Sequence, residues 1–404
     1  MSWSIQQRLS IYARVLTVTY LGLWVFWMLS GSGWTDRTGL PVGGDFGHYW
    51  VAASLALRGE APAVYDYPRL LAQEQALFGP ELALPFLYPP TFLLLLLPLA
   101  ALPYPASLAA WLLTTLAGYL VIIRRLAPHP LTLWLTLAFF GTFQNFIHGQ
   151  NGFLSAALLG GGLLLLDRSP GAGGLLLGLL TYKPHLAVLL PVALAAGRRW
   201  RALLAMLGAA AALGLASLLA LGPEVWAAFF KNIPVTLNLL KGGEVALSQM
   251  PTVFCATLLA GGGLTAARLL QGLTMLAVTA AVIRVWAGEG SPARRGAVLV
   301  LSMLLFTPYV YDYDLALLAL PLAWLGWEGY SHGWRPLEPG LLILGWCMPM
   351  FAQVLAKAAS LQVGPLVLAL LLVMALKRGT ATGKDSGSKA PRLKGGRPSD
   401  PGAQ

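Results

Sequence analysis

The sequence predicts an all-α polytopic membrane protein, on three observations. Of its 404 residues, 57% are hydrophobic and 11% charged, whereas a soluble domain carries about 25% charge. Apolar runs long enough to cross about 30 Å of hydrocarbon recur from residue 12 to residue 376. The runs are continuous Leu, Ala, Gly and Val, whereas barrel strands would alternate over about ten residues, so helices are the remaining way to satisfy the backbone in lipid. Residues 1–376 therefore read as one membrane domain.

The positive-inside rule orients each element in turn. Arg8 and Arg14 precede a first span over about residues 12–30, which lacks a small-residue cleavage site and reads as uncleaved. It leads out to a long loop, residues 31–87, expected to carry short helices along the membrane surface, among them the amphipathic stretch Pro68 to Phe78. Residues 88–123 are too long for one straight span and are interrupted by Leu102-Pro103-Tyr104-Pro105, so they read as one broken crossing returning to Arg124 and Arg125.

Residues 131–147 lead outward to His148-Gly149-Gln150-Asn151, and 153–166 return to Asp167-Arg168. Two half-length runs then flank Tyr182-Lys183-Pro184-His185 and end at the inner cluster Arg198-Arg199-Trp200-Arg201. Residues 202–221 exit to a second outer loop, 222–250, and the short Gly-rich run 251–262 reads as interfacial. The run 265–287 enters toward Arg284, Arg294 and Arg295; 297–310 exits to Tyr311-Asp312-Tyr313-Asp314; 315–327 returns. Two final helices, 339–356 and 360–376, end at Lys377-Arg378, giving about twelve crossings with both termini inside.

Of the net charge of +11, residues 377–404 hold seven Lys/Arg against two Asp in a Gly/Ser/Pro-rich tail that reads as disordered and cytoplasmic. The tail has no aromatic residue, so attraction to anionic membrane lipid is the simpler account and nucleic acid is not an expected partner. Cys255 and Cys347 are 92 positions apart in apolar surroundings and carry no redox signal.

This threading rests on the cationic residues, yet it gathers other chemistry on one side. Asp45, His48, Asp66, Tyr88, His148, Gln150, Asn151, Lys183, His185, Asp312 and Asp314 all fall at outer helix ends or in outer loops. Ionisable groups in such places line water-filled cavities, because exposing each to lipid costs about 2.5 to 3.5 kcal/mol or more. Asp45, after Gly43 and Gly44, reads as the N-cap of the following helix, as a general base whose neighbouring glycines admit a substrate close to the backbone, or as both together. Lys183 must either snorkel to the interface or meet an anion, for which a phosphate at a broken helix is suited.

His48, His148 and His185 lack close metal-ligand spacing such as HExxH, so hydrogen bonding to a polar ligand is expected and no metal or cofactor is called for. Asp312 and Asp314 read as a helix cap, as partners of a basic residue, or as cavity carboxylates binding sugar hydroxyls. The glycine runs 171–174 and 261–263 lack GxxxxGK[ST] and read as helix packing rather than a nucleotide loop.

Five segments together carry a resemblance: DFGHYWVAASLALRGEAPAVYD from Asp45, YPPTFLLLLLPLAALPYP from Tyr88, GQNGFLSAALL from Gly149, YKPHLAVLLPVALAAGRRWRA from Tyr182 and TPYVYDYDLALLALP from Thr307. Over about residues 12–375 the chain resembles glycosyltransferase family 87, the DUF2029 family, of the GT-C class of membrane glycosyltransferases. The resemblance implies a GT-C-type helical bundle in the cytoplasmic membrane. It implies transfer of mannose or a related sugar, with inversion, from a polyprenyl-phosphate donor to a lipid or glycan acceptor on the outer face. It implies Asp45 as the acceptor base, Lys183 as the lysine of the KP motif, Tyr88 and Pro89 as the YPP start and Gln150 as the GQ residue. The chain departs from the family at 313–314, where Tyr313 and Asp314 stand in place of a histidine pair found in characterised mannosyltransferases. The chemistry needs a base for the acceptor and a cation or amides for the departing phosphate. A transporter or flippase for a lipid-linked sugar is the alternative, and would place polar groups near the bilayer midplane, often in two similar halves.

Overall fold

The computed structural model describes residues 5–242 and 247–378, and these are helical with no strand longer than isolated bridges at Ser32, Thr35 and Pro41. Residues 379–404, most of the expected basic tail, lie outside the described residues, as do residues 243–246 of the second outer loop.

Among the described residues five helices are long and apolar enough to cross a membrane: Gln6–Leu29, Tyr104–Leu126, Trp200–Leu221, Leu264–Ala287 and Glu338–Ala359. Shorter apolar helices, among them Pro90–Ala100, Gly152–Leu165, Pro170–Tyr182, Pro184–Ala196 and Gly364–Lys377, fill the bundle between them. The helix Pro292–Phe306 runs through its centre, with every residue from Gly296 to Leu305 buried, as a helix apolar on all sides must be. Its small and β-branched residues let the surrounding helices approach. The first helix sits at the periphery, attached through Tyr20 stacked on Phe143 at 4.5 Å and Trp24 edge-on to Phe146 at 5.1 Å. Val15, Val18, Leu21 and Phe26 stay exposed, the composition of a lipid-facing surface.

Residues 88–123 fall into two helices, Pro90–Ala100 and Tyr104–Leu126, parted at Leu102-Pro103 as expected, and the second alone has the length of a span. Pro90–Ala100 packs on Phe46–Leu57, a helix whose residues are mostly buried. The segment 222–250, expected as an outer loop, contains the helix Pro223–Gly242, and the run 251–262 contains the short helix Val253–Leu259.

The glycine run at 171–174 does serve packing. A Cβ on Gly174 would lie 2.2 Å from the Ala202 carbonyl oxygen, and one on Gly178 2.4 Å from that of Met206. Small residues four apart thus bring Pro170–Leu179 against Trp200–Leu221. The run at 261–263 differs: a Cβ on Gly261 or Gly263 would meet nothing within 4 Å.

Candidate active site

The site begins with two glycine turns pressed together. Gly43 and Gly44 hold φ of 89° and 51°, and Gly149 holds 57°, a region where L side chains are strained. A Cβ on Gly149 would fall 2.5 Å from the Gly43 carbonyl oxygen. Two side chains clamp the pair: Tyr104 donates to the Val42 carbonyl at 2.5 Å and Trp111 to the Gly149 carbonyl at 2.9 Å. The turn after Gly149 is shaped by Asn145, whose amide donates to the Gln150 carbonyl at 3.1 Å while its oxygen accepts from the Gly152 amide at 2.7 Å.

This docking sets Asp45 beside Gln150. Asp45 occupies the N-cap position of Phe46–Leu57, but its backbone is helical and its side chain makes no cap bond. The half-buried carboxylate instead accepts from the Gln150 amide at 2.5 Å. The N-cap reading of Asp45 therefore fails: its own backbone is already helical, and the carboxylate makes no bond to the amides it would cap.

From Gln150 a continuous polar network runs inward. Tyr49 donates to the Gln150 amide oxygen at 2.5 Å and shares a hydrogen bond with the Tyr88 hydroxyl at 2.9 Å. Asn151 donates to the Tyr49 hydroxyl at 3.1 Å and accepts from Lys183 Nζ at 2.8 Å. Lys183 also pairs with Asp314, both side chains being buried, and lies 5.4 Å over the Tyr313 ring. Asp314 in turn accepts from the Tyr311 amide at 3.3 Å. Lys183 is thus not snorkelling to an interface; its ammonium is held inside by a carboxylate. Of the readings open for Asp314, two coexist, as a basic residue's partner and as part of a helix-start capping box.

Asp312 and His148 flank the same network. Asp312 accepts from the Gln144 amide at 3.3 Å and the Tyr313 backbone amide at 2.8 Å. Burial pushes its carboxyl above the usual range, against the opposing pull of His148 and these two donors. The His148 ring abuts Gly44, where a Cβ would lie 3.3 Å from Nδ1. His185 sits edge-on to Tyr309 at 5.7 Å, and its buried Nε2 has no hydrogen-bond partner among the described residues.

Two candidates are placed elsewhere. His48 is buried against Glu74, which also accepts from the Leu84 amide at 3.2 Å, so this pair ties the outer segment together. Asp66 is exposed, at the N-cap of Tyr67–Phe78, accepting from the Arg69 amide at 3.5 Å. Neither is hydrogen-bonded to the network: His48 spends its ring nitrogen on Glu74 and Asp66 caps its own helix. Tyr49, the hinge of the network, is absent from the sequence reading although it lies four residues after Asp45, on the same helix face. Gln144, Asn145 and Tyr182 also escaped it, the last donating to the Asn151 carbonyl at 3.2 Å.

The assembled groups offer a half-exposed carboxylate able to take a proton, a buried cation balanced by a carboxylate, and a surround of phenols suited to a hydroxyl-rich ligand. Among the described residues no group of three or more His, Cys, Asp or Glu is placed to hold a metal ion. A family model described as Glycosyltransferase family 87 matches residues 86–308, more than half of the chain. The matched stretch includes Tyr88, His148, Gln150, Asn151, Lys183 and His185, while Asp45 precedes it. No curated protein and no solved structure matches the chain.

Proposed function

This chain belongs to glycosyltransferase family 87, and from that premise we propose that it moves a hexose from a polyprenyl-phosphate donor to a hydroxyl of a lipid or glycan acceptor, with Asp45 as the base. The observation that carries the reading is the carboxylate of Asp45, free of any capping bond and held by Gln150 at the exposed end of the network. In the proposed reaction the acceptor oxygen attacks the anomeric carbon as its proton passes to Asp45. The bond from that carbon to the phosphate oxygen breaks with inversion, and polyprenyl phosphate leaves with the electron pair.

Gln150 orients the carboxylate, and Tyr49 fixes which end of the Gln150 amide faces it. Lys183 is the cation of the network, so a contact with the donor phosphate requires that phosphate to compete with Asp314 for the ammonium. The phenols of Tyr88, Tyr309, Tyr311 and Tyr313 supply the sugar with donors and apolar ring surface. In this reading the pocket faces outward from the cytoplasmic membrane and mannose is the first sugar to try. The network's place at one end of the helices favours a one-sided pocket over a transporter's path through the midplane.

The test presents membranes containing the protein with radiolabelled polyprenyl-phosphate mannose, polyprenyl-phosphate glucose and the matching nucleotide sugars. Label should enter a lipid or glycan product from a polyprenyl-phosphate donor. Transfer from the nucleotide sugars alone would overturn the donor assignment.

A further inference from the structure

Glu74 is a buried carboxylate that the proposed transfer reaction does not use. In the helix Tyr67–Phe78 the buried residues are Leu70, Glu74 and Phe78, spaced so that Glu74 occupies the middle of the stripe that seats this helix. Its two neighbours in the stripe are apolar, and Glu74 itself is 0% exposed. An apolar side chain would fill the same position without the cost of burying a charged group. Packing alone therefore does not call for a carboxylate there.

The carboxylate joins two parts of the chain. Glu74 Oε1 pairs with His48 Nδ1, and Oε2 accepts from the Leu84 amide at 3.2 Å. His48 stands three residues after Asp45, in the first turn of Phe46–Leu57, and is 3% exposed. Leu84 belongs to residues 79–89, which are neither helix nor strand and end at Tyr88-Pro89. Its amide has no ladder to join, so a side chain supplies the acceptor. The His48 ring also lies against Phe86 at 5.4 Å, and Phe86 against Tyr88 at 5.7 Å. Next to His48, Tyr49 reaches the Tyr88 hydroxyl at 2.9 Å. Two successive residues of one helix thus hold the same irregular segment, His48 at its middle through Glu74 and Tyr49 at its end.

We propose that His48 and Glu74 are positioning residues for the transfer reaction, a buried latch that sets the Tyr88 hydroxyl against the helix that Asp45 precedes. The inference rests on the assignment of Asp45 and Tyr88 to that reaction. Neither latch residue meets the substrate. With the latch broken, the Leu84 amide loses its acceptor and the segment shifts. Tyr65 still donates to the Tyr88 carbonyl at 2.8 Å, so the end of the segment stays attached while the Tyr88 ring moves off Tyr49. That separates Tyr88 from the hydrogen bonds that run through Tyr49 and Gln150 to Asp45. A misplacement of about 1 Å in such a group costs up to about a hundredfold in rate.

The experiment takes the full-length protein in membranes and reads hydrogen exchange and transfer together. In Glu74→Met, peptides covering residues 79–89 should exchange several-fold faster than in the wild type, while peptides covering Gly152–Leu165 keep their rate. Transfer from a radiolabelled polyprenyl-phosphate sugar should fall about tenfold or more in kcat/KM. Glu74→Gln can accept from the Leu84 amide through its oxygen and donate to His48 through its nitrogen, and should stay within about threefold of the wild type. In a Tyr88→Phe background, Glu74→Met should cost less than about twofold further, because the latch acts through that hydroxyl. If Glu74→Met does not fold, His48→Phe carries the same comparison. Losses from Glu74→Met and Tyr88→Phe that multiply independently would overturn the proposal, as would wild-type exchange over residues 79–89 or undiminished transfer in Glu74→Met. Absence of transfer by the wild type itself would overturn the transfer reading, and the latch's role with it.

Discussion

Replacing Lys183 with methionine should strand a buried carboxylate. Lys183 and Asp314 have side chains 3% and 2% exposed, and Lys183 Nζ also donates to Asn151 at 2.8 Å. After Lys183→Met, Asp314 would keep the Tyr311 amide at 3.3 Å, and Asn151 Oδ1 would lose the lysine donor. Breaking a buried ion pair costs about 3 to 5 kcal/mol in a soluble interior, while polar couplings between membrane helices average about 0.6 kcal/mol because the unfolded chain in lipid also finds partners. The pair lies at helix ends but is shielded by Tyr313 and Tyr182, so a loss of about 2 to 3 kcal/mol is the expectation. At roughly 2 °C per kcal/mol for a chain this large, Tm should fall by about 5 °C. The assay is thermal unfolding in detergent, comparing Lys183→Met, Asp314→Asn and the double variant. Because the double variant no longer buries a lone charge, it should recover about half of the loss. A double variant as unstable as the sum of the two single ones would refute the reasoning.

Gly149→Ala should destabilise by at least about 2 kcal/mol and abolish transfer, since the new methyl would meet the Gly43 carbonyl at 2.5 Å in a left-handed backbone; a soluble, active variant would contradict the packing of the two turns. Asp66→Ala should cost about 0.5 to 1 kcal/mol as a lost cap and leave transfer within about twofold, measured in membranes. The raised carboxyl of Asp312 binds more protons folded than unfolded, so its contribution to stability falls as pH rises from 3.8 through its higher native value. Asp312→Asn should remove that part of the pH dependence of Tm, and an unchanged profile would show that Asp312 does not titrate as its burial dictates.

The helical bundle was legible because lipid leaves few options: composition and run length name the helices. Tertiary pairing was not legible. Lys183 and Asp314 stand 131 positions apart; pairing with a basic residue was one of three readings open for Asp314, and nothing in the sequence named Lys183 as that residue. Glu74 sits in a stretch that reads as an amphipathic surface helix, and only the fold reveals that it is buried against His48. Asp66 carried its answer in the sequence, since the proline two residues on marks a helix start. Asp45 looked like the better cap and is not one, because the glycine turn before it lets the chain enter the helix early. Tyr49 was within reach of the i to i+4 rule, but a tyrosine in an apolar run reads first as core.

The central claim is that Asp45 takes the acceptor's proton. Transfer from a radiolabelled polyprenyl-phosphate sugar, measured in membranes with equal amounts of wild type and Asp45→Asn, tests it most directly. The asparagine is isosteric and can still bond to Gln150, so the fold should hold while the rate falls at least about a hundredfold. Transfer by Asp45→Asn at the wild-type rate would contradict the claim and remove Asp45 as the base.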